Sequence, residues 1–124
     1  MTIRQKDYIL RLIEQAAAAL RRLRERLASS DADVPERATA ESPQAIALDA
    51  RRAQHELLGE HAPLLQALDP TSAATMVRDP QRLALWVELL RTEAEALRRA
   101  GDASRAAALD TRAAALAARI DALP

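Results

Sequence analysis

Three prolines in this chain stand directly behind a helix-capping residue: Ser42-Pro43, Asp69-Pro70 and Asp79-Pro80. A Ser or Asp side chain accepts from the free N–H groups of a first helical turn. Proline suits the first helical position, where its missing N–H has no intrahelical partner. Each pair therefore marks a helix start. Gly59 and Gly101 are the only glycines, and each follows a helix-forming run at the place where a stop is needed. These signals predict a helix from 43 to 59, a short helix after Pro63 ending near Leu68, a second short one over about 70–77 and a long one over about 80–100. A last helix opens at Asp102 or Ser104 and runs to about Ala122. Residues 2–28 contain neither Gly nor Pro and read as one long helix. The intervening 29–42 (SSDADVPERATAES) is polar and acidic, contains Pro35, and reads as a linker.

Alanine (30) and leucine (19) supply 49 of the 124 residues, and eight residues in all are apolar and β-branched. Strands favour β-branched and aromatic side chains, so a sheet is not expected. The fold class is all-α: a small helical bundle with a long N-terminal helix and a C-terminal antiparallel helical hairpin. The length suits one domain spanning 1–124, divided as 1–28, 29–42, 43–78 and 79–124. Leu packed on Ala should bring the helix axes close together.

The first helix carries a seam of Ile9, Ile13, Ala16, Leu20, Leu23 and Leu27, in alternating steps of four and three. Tyr8, Leu12 and Ala19 flank it on one side, Leu10 and Ala17 on the other. The apolar arc is roughly 200° wide, against the ~100° stripe that one core contact requires. Such a helix must be covered on two sides, one by its own domain and one by a second copy or a partner. Tyr8, Ile9, Leu12, Ile13, Ala16, Leu20, Leu23 and Leu27 are the candidate interface. The 80–100 helix is also broadly apolar and is expected mid-domain. The last helix shows a narrow stripe of Leu109, Leu116 and Ile120, and should pack by that face onto the 80–100 helix.

Net charge is zero, from 18 basic and 18 acidic residues, which gives no global attraction to nucleic acid or anionic membrane. Residues 21–26 (RRLRER) concentrate Arg21, Arg22, Arg24 and Arg26. They are the candidate contact for phosphates or an anionic surface, the alternative reading of this chain. Against it, cations suit the last turns of a helix, acids follow at once, and no aromatics are interleaved to stack bases. Nucleic acid is therefore not the expected partner. With no cysteine, disulfides and thiolate metal sites are excluded. The apolar runs, such as residues 16–20 and 113–118, are far short of the ~20 needed to span a bilayer. A cytoplasmic protein is the expectation.

The opening Asp7, Tyr8, Ile9, Arg11, Ile13, Glu14 and Gln15 resembles a group of small bacterial helical proteins of unassigned function. Their first helix reads D-Y-I-x-R-x-I-E-Q. Leucine-rich segments follow, here HELLG and HAPLLQAL at 55–59 and 61–68. The resemblance implies an all-helical fold over the whole chain and carries over no site residue. Residues 87–116 also resemble a single tetratricopeptide repeat, with Ala94 at the small position, Gly101-Asp102 at the turn, and Ala106 and Ala113 as close-contact alanines. Glu93 stands where that family has leucine, and Asp110 where it has an aromatic.

Few groups here suit chemistry. Asp7, Arg11 and Glu14 lie at i, i+4 and i+7 and read as an exposed ion-pair ladder. His55 and His61 are six apart across Gly59, which does not place two imidazoles on one helix face, so no metal and no cofactor is expected. Glu93 is the exception, a candidate buried carboxylate on an otherwise apolar arc. It should pair with Arg51, Arg52 or Arg82, or mark a gap at the surface. The expected function is a non-catalytic helical interaction or scaffolding role, with self-association through the first helix.

Overall fold

The computed structural model describes residues 3–31 and 42–123, and these are helical nearly throughout. The helices are α1 (Ile3–Asp31), α2 (Pro43–Leu58), α3 (Ala62–Ala67), α4 (Pro70–Val77), α5 (Pro80–Arg99) and α6 (Ala103–Ile120), with one 3₁₀ turn at Gly59–His61 between α2 and α3. Among the described residues there is no strand. Most of the expected linker, 32–41, lies outside the described residues.

The starts are set by capping side chains. Ser42 Oγ accepts from the Ala45 N–H at 3.2 Å, and Asp69 accepts from Ser72 at 3.0 Å. Asp79 accepts from Arg82 at 3.1 Å, and Asp102, not Ser104, caps α6 by accepting from Arg105 at 3.2 Å. The α5–α6 turn is closed by two backbone bonds, Asp102 N–H to Leu97 O and Gly101 N–H to Arg98 O. This is the Schellman pattern, and Gly101 holds it at φ 90°. The first helix runs on to Asp31 rather than ending at Ala28. No breaker stops it there, and Arg99 Nη1 donates to Leu27 O at 2.6 Å, fixing its last turns.

α5 is the centre of the bundle and packs on α6, α2 and α1, while α2 also packs on α1. Leu83, Trp86, Leu89 and Leu116 are fully buried around it. α6 presents Ala106, Ala113 and Leu116 to the core, and α4 covers it as well as α5. The two departures from the repeat-like pattern both have polar partners. Asp110 accepts from Arg98 across the hairpin, and Glu93 accepts from Gln54.

Three arginines tie the helices end to side. Arg82 Nε donates to Leu57 O at 2.8 Å, near the C-terminus of α2. Arg99 reaches α1 as described. Arg112 donates to Leu65 O at 2.8 Å and Leu68 O at 2.9 Å, at the end of α3. Helix C-terminal carbonyls lack intrahelical donors and carry partial negative charge, so a guanidinium satisfies both needs.

Candidate functional site

Of the candidate interface residues on α1, Leu12, Ile13, Ala16, Leu20, Leu23 and Leu27 are buried within this chain. The reasoning that one domain covers one side of the arc is corrected here. α2 and α5 form a groove, and α1 lies in it with neighbours on both flanks. Small side chains such as Ala47, Ala50 and Ala53 on α2 and Ala94 on α5 are buried in the core around it. The N-terminal turns are different. Tyr8 is 54 % exposed and Leu10 44 % exposed, while Ile9 is half-buried. Asp7, Arg11 and Glu14 are exposed.

Beneath these turns is an open cleft of about 570 Å³, within the size range of small-molecule pockets. Tyr8 and Ile9 of α1 form one wall. Leu58, Leu65, Met76 and Val77 form much of the rest, with Gly59, His61 and Arg82 as its polar or open points. Gly59 sits at φ 74°, a conformation that costs little without a Cβ. Its open face points into the cleft. A Cβ there would stand 3.6 Å from Arg82 Nη2 and 3.7 Å from the Tyr8 hydroxyl. Burial lowers the Arg82 pKa, and Tyr8 and Asp79 oppose that shift.

The 21–26 arginines divide. Arg24 Nη2 lies 2.7 Å from Glu88 of α5, and Arg26 Nη1 lies 2.8 Å from Asp49 of α2. Arg21 and Arg22 are exposed. Arg22 borders a shallow hollow that also holds Arg26, Arg52, Asp49 and Glu56. Two of the four cations already bridge helices to carboxylates.

Glu93 is buried, at 4 % exposure. Its partner is Gln54, whose Nε2 donates to Glu93 Oε1 at 2.7 Å. The expected arginine pairing is corrected: Arg82 holds the Leu57 carbonyl, Arg52 sits 3.9 Å from Asp49, and Arg51 acts on Glu93 only through space. Burial raises the Glu93 pKa above its ordinary value; the Gln54 hydrogen bond and the charges of Arg51, Arg105 and His55 lower it, in that order. Glu93 borders a hollow of about 170 Å³ between α2, α3, α5 and α6. Trp86, Gln66 and Arg112 share it, with Arg51 and Arg105. The Arg112 guanidinium carbon stands 5.4 Å from the Trp86 ring centre, within cation–π range. Trp86 Nε1 and Gln66 Nε2 are buried without an acceptor among the described residues. Gln54, Gln66 and Arg112 were not legible as site residues, because each joins the hollow through a contact between helices far apart in sequence.

No protein-family model, curated protein or solved structure matches this chain. Among the described residues no group of three or more His, Cys, Asp or Glu is placed to hold a metal ion, and no helix is long and apolar enough to cross a membrane.

Proposed function

We propose that this chain is a non-catalytic helical interaction protein of the cytoplasm, and that it self-associates through the N-terminal end of α1. The observation that carries this reading is an exposed aromatic at the rim of a cleft. Tyr8, 54 % exposed, forms one wall of a cleft whose apolar lining is Ile9, Leu58, Leu65, Met76 and Val77. Two copies related by a two-fold axis can each seat Tyr8 over the other's cleft, which is the self-complementarity an isologous interface needs. A chain of zero net charge also has no overall repulsion to overcome in meeting its own copy. The rest of the α1 seam serves the monomer core, so the interface in this proposal is Tyr8, Ile9 and Met76.

Light scattering or sedimentation at tens of micromolar is expected to give a dimer. Met76→Lys places a cation in the cleft at a residue 47 % exposed, and should give a folded monomer. A wild-type monomer, or an unchanged dimer in Met76→Lys, overturns the reading. Ile13→Glu is expected to disrupt the fold itself, because Ile13 is 8 % exposed and an unpaired charge would be buried there.

A further inference from the structure

We infer that the hollow between α2, α3, α5 and α6 binds a small molecule carrying an oxyanion. Two independent features of its lining point the same way. The first is an excess of unused donors. Trp86 and Gln66 belong to the lining of the hollow, and Trp86 Nε1 and Gln66 Nε2 are buried without an acceptor among the described residues. Buried polar groups are nearly always hydrogen-bonded, so two orphan donors at one cavity call for an acceptor inside it. The second is charge. Arg51, Arg105 and Arg112 line the hollow opposite one carboxylate, Glu93. Gln54 already donates to that carboxylate, and no arginine among the described residues donates to it. Arg112 uses donors on the Leu65 and Leu68 carbonyls, which fixes its guanidinium over Trp86. One of the three cations, Arg112, is thus held in place before any ligand arrives, and a preorganised group loses less entropy on binding.

Size narrows the ligand. At about 170 Å³ the hollow is smaller than the ~300–1,000 Å³ of drug-sized pockets. It suits a few heavy atoms: a short carboxylate or a phosphate. An oxyanion beside Glu93 is tolerated best when that carboxyl is neutral, and burial moves Glu93 in that direction. The other titratable or charged groups around it are Arg51 and His55 of α2 and Arg105 and Arg112 of α6; the three arginines favour an anion, and Asp102, 3.7 Å from Arg105 Nη1, offsets part of that charge.

Trp86 is the only tryptophan, so its fluorescence reads the hollow directly. The full chain is titrated at pH 7 with propionate and with inorganic phosphate, each at ionic strength matched with chloride. A saturable change is expected with at least one of them. Propionate alone identifies a carboxylate site, phosphate alone a phosphate site. Arg51 and Arg105 are exposed, and the Arg51→Ala/Arg105→Ala double variant should stay folded and bind about tenfold more weakly or worse, as expected for lost charged hydrogen bonds. Glu93→Gln should bind more tightly at pH 7. No saturable change with either anion, or titrations indifferent to the double variant, overturns the assignment.

Discussion

A carboxylate at 4 % exposure is the residue least reconciled to its surroundings. Desolvation disfavours its charged form, and one amide hydrogen bond only partly compensates. The folded pKa of Glu93 is raised from its ordinary 4.5. In the interval between those two values the folded state holds a proton that the unfolded state has lost. Stability therefore falls as pH rises through that interval, and the penalty persists above it. Glu93→Gln keeps an acceptor for Gln54 and removes the ionisation. It should raise the melting temperature at pH 7 and flatten the slope above pH 4.5, measured by thermal unfolding of both proteins across pH. Helical phase was enough to single out Glu93 in the sequence. Its partner was hidden for a physical reason. The pattern of each helix gives its own buried face, but the rotation of α2 against α5 is decided by packing, and that rotation brought Gln54 rather than an arginine.

Local chemistry accounts for most of the helix starts here, which is why those boundaries could be read. Ser42, Asp69, Asp79 and Asp102 each act within three residues of themselves, and no distant contact has to be known. One boundary runs against local preference. Arg78, which ends α4, sits at φ 63°, where a Cβ crowds the backbone and glycine is favoured. Arg78 is exposed and little else depends on it. Arg78→Gly should stabilise the protein by about 1 kcal/mol, read as a shifted midpoint in urea. Gly59→Ala is the opposite case. At φ 74° and ψ −148° an alanine is strained whatever the space, and a loss of roughly 1–3 kcal/mol is expected in the same assay.

At the scale of the molecule, the width of the α1 arc was legible and the identity of its cover was not. A 200° surface needs two neighbours, and the pattern cannot say whether both come from one chain. They do between Leu12 and Leu27, where α2 and α5 bury the seam. Coverage thins toward the N-terminal turns, leaving Tyr8 and Leu10 exposed. Removing α5 and α6 takes away the central helix and leaves α1 packed on α2 alone. A fragment of residues 1–79 is expected to show helical far-UV circular dichroism but no cooperative thermal transition, the signature of secondary structure without fixed packing. A sharp two-state melt from that fragment would show that α1–α4 pack without α5.

The three arginine ties have a direction in time. Arg82, Arg99 and Arg112 belong to α5 and α6, while the carbonyls they hold belong to α2, α1 and the end of α3. A ribosome delivers the held ends first and the holders last, at roughly 5–20 residues per second. During synthesis these carbonyls of α1, α2 and α3 thus wait without their guanidinium partners. The last third of the chain then supplies both the central helix and the guanidiniums that fasten the earlier ones. The contacts that fasten the early helices can form only after the later helices of the chain are made.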